Sequence, residues 1–319
     1  MVDETVKREP PASGSQAGQE AGPEKRAVPP AKTDYRPLRP GGVLRIRETI
    51  PSWMAWALGV VPILALLAGW FAVTAGAEAE SRIVSPTILP SPWEVLQSLW
   101  GKGQPDAPGY VPSLWVDRAL VRNLLVSFWR VLQGFLVAVA ITFPLGVLMG
   151  GFTKIKAMFS PLSVFGAYLP IPTLVPLTLS LFGTGETQKV AFLALAFAIY
   201  LLPLIVQSVD GVDDTYLKTA YTLGASRWQA VRKVLLAIAW PDIFQALRMG
   251  FGVGWSYIML VEMVDMSKGI GGLIMISQRR GPREHIYLVL VFIVAIAFLT
   301  DRLWGWVGKQ LFPYREAKR

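Results

Sequence analysis

The amino-acid sequence predicts an all-α integral membrane protein with six membrane-spanning helices. Three observations carry this reading. Of the 319 residues, 53% are hydrophobic and 17% are charged, and there are 12 tryptophans, the residue type that forms aromatic belts at membrane interfaces. The charges leave four runs of about 20 residues or more without any Asp, Glu, Lys or Arg. That is the length needed to cross a hydrocarbon core about 30 Å thick. Lysine and arginine also collect on alternate connections between these runs.

Residues 1–50 are rich in Pro, Gly, Ala, Glu, Lys and Arg. They cannot bury enough apolar surface to offset their ordering entropy, and a disordered tail is expected there, most clearly over Met1–Arg39. The membrane domain is then 51–319. Span one is centred on Trp53–Ala75; it starts too late and runs too long to be a signal peptide. A long outside segment follows, Gly76–Leu120, with an interfacial helix begun by Ser91 and Pro92. Span two is Val131–Thr153. Span three is Ala157–Gly185, interrupted by Pro161, Pro170, Pro172 and Pro176. Span four is Val190–Val209. Span five, Ala239–Val264, is long enough if Asp242 and Glu262 lie near the two interfaces. Span six runs from near Ile286, past Asp301, to about Val307.

With the N-terminus inside, the cytoplasmic segments are 1–50, Thr153–Lys156, Asp213–Pro241 and Arg302–Arg319, and they hold about 20 of the 31 basic residues. Both termini are then cytoplasmic. The outside loop Asp265–His285 resists the rule, since it contains Lys268, Arg279, Arg280 and Arg283. Either a loop between fixed spans tolerates these charges, or they form a basic vestibule that attracts an anion or an acidic protein.

The polar island Asp213–Pro241, about 29 residues between apolar runs, reads as two short helices with a break. Asp213 or Asp214 can cap the first, and Gly224 can end it in the left-handed conformation. Ser226 with Gln229 has the spacing of a capping box. Tyr216, Leu217, Ala220 and Leu223 share one helical face, which suits a groove on a partner protein. An amphipathic helix resting on lipid headgroups is the alternative.

The string TAYTLGASRWQAVRKVLL resembles the EAA loop of the permease subunits of ABC importers. Ala220 matches the second alanine of that pattern, Gly224 its glycine, Val234 its isoleucine and Leu236 its leucine; Lys218, Thr219 and Ala237 depart from it. Leu89–Trp100, Ser127–Phe135, Pro170–Glu186 and Ala246–Trp255 are similar to segments of the nitrate, sulfonate, taurine and bicarbonate branch. The resemblance implies a type I importer permease fold like that of the methionine importer, in a bacterial cytoplasmic membrane. It implies two cytoplasmic ABC ATPase subunits, which bind the ATP and Mg, an extracytoplasmic substrate-binding protein, and a second permease copy in a homodimer. Leu217, Ala220, Leu223, Gly224, Ala225, Ser226 and Arg227 are then the residues that couple to the ATPase. The missing glutamate at Lys218 leaves open any salt bridge made there.

The chain has no G-x-x-x-x-G-K-[ST], so it has no P-loop with which to cradle nucleotide phosphates, and no cofactor of its own is expected. With no cysteine and a single histidine, thiolate and multi-histidine metal sites are excluded. No nucleic-acid partner is expected. Charges at membrane depth need partners or water. Arg130 is read either as snorkelling outward or as a functional group, and Glu262 either as meeting a basic group in the following loop or as a functional group. Arg248, one turn before Gly252 and Gly254, is the stronger substrate-path residue, with an arginine fork suited to an oxyanion. Pro170, Pro172, Pro176 and Trp255 complete the expected path. The prolines either kink span three or free backbone groups to line the path. The rival reading is a self-sufficient secondary transporter or channel with no ATPase.

Overall fold

The computed structural model describes residues 50–76, 82–101, 113–114, 118–266, 268–280 and 283–316. The expected tail lies outside these residues, Ile50 apart. The chain divides into two units at Trp56, within α1; only 50–56 of the first is described, and it is helical from Ser52. The second unit, Ala57–Arg319, is all-helical among its described residues.

The described helices are α1 (Ser52–Val73), α2 (Pro92–Gln97), α3 (Ala119–Gly151), α4 (Thr153–Ala167), α5 (Leu174–Phe182), α6 (Glu186–Asp210), α7 (Asp214–Thr222), α8 (Arg227–Gln229), α9 (Leu236–Val264), α10 (Ile270–Arg280), α11 (Glu284–Leu311) and α12 (Pro313–Glu316). Five helical segments are long and apolar enough to cross a membrane, and a sixth arises if α4 and α5 form one span bent by 92°. Helix α1 is apolar all round with no buried residue, so its surface suits lipid or a further chain. Its far end is tied to the rest of the unit: Trp70 Nε1 donates to Pro90 O at 2.9 Å, and its ring lies 6.0 Å from Tyr287.

The core is built from α3, α6 and α9. Small residues let the backbones approach: a Cβ on Gly134, Gly146 or Gly150 of α3 would meet Leu193, Ile205 or Val209 of α6. Gly254 of α9 receives Phe197 of α6 in the same way. Phe135 sits at the hub, 5.2 Å from Phe251, 5.5 Å from Phe197 and 6.0 Å from Trp304, in edge-on geometries that favour aromatic pairs.

Three boundaries differ from the sequence reading. Span three is two helices, because Pro170 holds an extended conformation (φ −65°, ψ 114°) and a 3₁₀ turn, Ile171–Thr173, redirects the chain. Pro176 falls in the first turn of α5, where its missing N–H costs no helical bond. Secondly, the second helix of the polar island does not stop before span five. A π-helical segment, Ala230–Leu235, joins α8 to α9, so Arg227–Val264 is one 38-residue helix with Pro241 inside it. Thirdly, the segment expected to be an outside loop contains α10. His285, expected in that loop, is buried in the first turn of α11.

The segment before α2 follows its sequence closely. Ser91 and Glu94 form a reciprocal capping box: Glu94 N donates to Ser91 Oγ at 3.2 Å, and Ser91 N donates to Glu94 Oε2 at 2.8 Å. Arg82 forks the same carboxylate at 3.0 and 3.2 Å. Burial pushes the Glu94 carboxyl up, but the bonds from Arg82 and Ser91 prevail and hold it below the usual carboxylate range. A depressed folded pKa stabilises the fold above the unfolded carboxylate pKa, and that stability is lost as pH falls through the folded value. Acidification is therefore expected to lower amide protection factors, corrected for the intrinsic exchange rate, across 93–99, and Glu94→Gln to lower them at neutral pH and abolish most of their pH dependence.

Candidate functional site

The polar island folds into a rigid elbow. Asp213 caps α7, its Oδ1 accepting from Thr215 N at 2.7 Å; the Thr215 side chain first, and then this backbone bond, hold the Asp213 carboxyl below its ordinary range. The helix ends in a Schellman motif: Ala225 N donates to Ala220 O and Gly224 N to Tyr221 O, both at 3.0 Å. Gly224 supplies the required positive φ, 80°. The next helix starts at once. Ser226 N donates to Gln229 Oε1 at 2.9 Å and Gln229 N donates to Ser226 Oγ at 3.4 Å, the capping box expected from spacing. Because this helix continues through the π-helical segment into α9, a load on the elbow passes directly to a core helix.

The expected docking face is divided. Ala220 is buried and Leu217 half-buried against the protein's own core, so neither is offered to a partner. The surface instead presents Tyr216 (53% exposed), Leu223 (83%) and Trp228 (56%), with Arg227 also exposed. Trp228 stacks near Phe152 with ring centroids 6.5 Å apart, which braces the elbow on the α3–α4 junction. Trp228 was absent from the face drawn from helical spacing because it lies on the other arm of the elbow.

The expected substrate-path residues are not gathered in one place. Pro170, Pro172 and Pro176 lie exposed at the α4–α5 bend. Trp255 is buried, packs 6.2 Å from Phe128 and belongs to the α3–α9 core rather than lining an open path. Its buried indole N–H has no acceptor among the described residues. Arg248 is partly exposed and forks Asp301 of α11, Nε to Oδ1 and Nη2 to Oδ2, both 2.6 Å. It borders a cavity of about 850 Å³ between α9 and α11, with Arg302, Lys309, Phe244 and Trp304.

At the opposite end of α9 is a buried ionic network that the sequence reading left as separate charges. Arg130 of α3 is 1% exposed and Glu262 of α9 is 0% exposed, and they pair at 2.7 Å. Ser127 Oγ donates to Glu262, and Gly271 N donates to Glu262 Oε2 at 3.0 Å. Ile270 N donates to Ser127 Oγ at 2.9 Å, and Gly269 N to Asn123 Oδ1 at 2.7 Å. The amides that α10 cannot satisfy itself are thus met by side chains of α3 and α9. The KGIGG string at Lys268–Gly272 now has a reason: a Cβ on Gly269 or Gly271 would strike Glu262. Arg130 also forks Glu186 at the start of α6, and buried Lys189 pairs with Asp265 at 2.8 Å.

Residues 142–312 match the family described as the binding-protein-dependent transport system inner membrane component. The matched segment spans the elbow, α9 and α11, which is more than half of the chain. The chain belongs to this family. The taurine transport system permease protein TauC of Escherichia coli is 29% identical over 272 residues, 85% of this chain and 94% of that protein. The nitrate import permease protein NrtB of Leptolyngbya laminosa is 25% identical, covering 84% of this chain and 89% of that one. The bicarbonate transport system permease protein CmpB of Synechococcus elongatus is 30% identical, covering 61% and 70%. Among solved structures, the inward-facing MetNI methionine ABC transporter aligns with a TM-score of 0.55 at 19% identity, over 60% of this chain and 96% of that one. That likeness supports the fold expected from the sequence, a type I importer permease. The protein is the multi-pass permease component of an ABC importer.

Proposed function

We propose that this permease carries a small oxyanion or sulfonate-like solute into the cytoplasm, driven by ATPase subunits that dock on the elbow at 213–229. The observation that carries the reading is the elbow itself: a braced, capped turn, presenting Tyr216, Leu223 and Trp228 and continuous with a core helix. ATP hydrolysis belongs to the partner, which binds ATP and Mg; this chain contributes the pathway and the coupling. Two identical copies, served by an extracytoplasmic binding protein, complete the importer. The elbow and both termini face the cytoplasm, and the network around Arg130 faces outward. Support for the solute class comes from the chemistry shared by the cargoes for which the relatives are named, since taurine, nitrate and bicarbonate each present oxygen atoms of a charged acid group.

The test is co-expression with the ATPase and binding protein encoded alongside, followed by ATP-dependent uptake of labelled nitrate, bicarbonate and taurine into vesicles. Co-purification of the ATPase through the elbow and uptake of one of these solutes is the expected result. ATP-independent uptake by the permease alone would establish the secondary-transporter reading instead.

Arg248 is proposed to line the inward half of the path. Its fork on Asp301 needs a planar guanidinium, which lysine lacks. Arg248→Lys is expected to lower uptake per extracted molecule about tenfold, the scale of one lost charge-assisted hydrogen bond. Arg248→Gln is expected to lower it further at similar protein abundance. Loss of abundance with normal uptake per surviving molecule would assign Arg248 a structural role only.

A further inference from the structure

We propose that the Nε/Nη2 edge of Arg130 is an anion-receiving site for a small oxyanion, and that Glu186 occupies it as a built-in surrogate which the arriving anion displaces. The inference rests on the solute class proposed above and adds to it a site.

Five features of the structure lead there. The guanidinium is buried and fixed from one side, its Nη1 donating to Glu262 at 2.7 Å and to Lys268 O at 2.9 Å. Its other edge is thereby held in place, aimed at whatever anion occupies it. The occupant is the Glu186 carboxylate, held through both Nε and Nη2, which is the two-point geometry a nitrate, bicarbonate or sulfonate group also offers. Unlike Glu262, which is fully buried, the Glu186 side chain is 63% exposed. A carboxylate able to return to water gives up its partner at far less cost than one that cannot. Glu186 is also the first residue of α6 and follows Gly183 and Gly185, both at positive φ (68° and 148°), where the backbone can swing with little steric resistance. Finally, a cavity of about 530 Å³ opens beside it, lined by Gln133, Val137, Thr187 and Ala191 as well as Glu186. Arg130 does not itself line this cavity, so an anion entering from it would reach the Arg130 edge only as Glu186 swings aside, with the Gln133 amide and Thr187 hydroxyl as further donors.

The arrangement explains why a buried arginine carries two carboxylates of unlike burial. Glu262 ties α10 to α3 and α9, whereas Glu186 covers the remaining edge of Arg130 from the exposed side.

The site is tested on the full-length permease in nanodiscs. Sodium nitrate is the probe, titrated at constant ionic strength, and the thermal unfolding midpoint is the readout, since a ligand of the folded state raises it. Glu186→Gln removes the competing charge and is expected to bind nitrate about tenfold more tightly than the parent, the scale of a lost charge-assisted contact. Arg130→Lys added to Glu186→Gln is expected to remove the response. Because that pair alters the ionic network, Ala191→Phe added to Glu186→Gln gives an independent check: it fills the cavity without touching Arg130, and is also expected to abolish the response. A Glu186→Gln protein that binds nitrate no better than the parent overturns the site, as does an undiminished gain in the Ala191→Phe pair. Uptake separates the two levels of the argument. Oxyanion uptake by the importer with no Glu186→Gln gain sinks the site and leaves the cargo standing; the gain without any oxyanion uptake does the reverse.

Discussion

Replacing Gly224 by valine is expected to abolish ATP-driven uptake while leaving a folded, membrane-inserted protein. Gly224 sits at φ 80°, and a Cβ built there meets nothing within 4 Å. The substitution therefore creates no clash with neighbouring atoms. Its whole effect is on the backbone, where a left-handed conformation costs an ordinary L-residue about 1–2 kcal/mol and a β-branched residue more. The chain escapes this strain by leaving the positive-φ region, which breaks the bonds from Gly224 N to Tyr221 O and from Ala225 N to Ala220 O. The angle between α7 and the helix that becomes α9 then changes, and Leu223 and Trp228 no longer present one surface. The core packs elsewhere, through α3, α6 and α9, so extracted protein is expected at near-parental levels. Asparagine tolerates the left-handed region, so Gly224→Asn is expected to retain most uptake and most ATPase co-purification. Parental uptake from Gly224→Val would remove the elbow from the coupling mechanism, and equal failure of valine and asparagine would remove the positive-φ explanation for it.

How much of this was legible in the sequence depends on the range of the interaction concerned. The caps at Asp213, Ser91 and Ser226, and the positive φ at Gly224, rest on contacts within a few residues, and each is found as read. The long apolar helices follow from charge-free length alone. What the sequence did not yield are features set by partners far along the chain. Ala220 looked like part of an exposed stripe, yet it turns inward because the α7 face packs on the π-helical segment. Arg130, Glu186 and Glu262 were visible as single charges, but nothing local says that residues 56 and 132 positions apart share one cluster. A signal did exist for α10: the glycines of KGIGG mark a close backbone approach, and the apolar residues that follow are too many for a solvated loop. The 92° bend between α4 and α5 was signalled by the prolines, although their count gave no angle.

Glu262→Ala is expected to deplete the folded protein from the membrane, in contrast to the folded and merely uncoupled Gly224 variant. Both Glu262 and Arg130 are shielded from water, and breaking a buried ion pair costs up to about 3–5 kcal/mol; Arg130 keeps its second carboxylate, Glu186, so the low end of that range is expected. Here the loss spreads further. Arg130 Nη1 keeps only the Lys268 carbonyl, and Gly271 N and the Ser127 hydroxyl lose their acceptor. The α10 N-terminus is then no longer tied to α9, and the end of the α3–α9 pair that carries the network loosens. At about 1.4 kcal/mol per factor of ten, the ratio of folded to unfolded protein falls by about two orders of magnitude, and the yield of monodisperse detergent-extracted protein is expected to fall with it. Glu262→Gln is expected to be milder, since the amide can still accept from Gly271 and Ser127 but leaves Arg130 short of a charge partner. Adding Arg130→Met to Glu262→Gln removes the orphaned cation and is expected to recover part of the lost yield, the sign of a shared penalty rather than two separate ones. Glu186→Gln provides the contrast: with that side chain 63% exposed, water solvates whatever Arg130 releases, and near-parental yield is expected. A Glu262→Ala protein recovered at parental levels would show that the buried pair contributes no net stability, and that Glu262 is kept for what it does to Arg130 and α10 during transport.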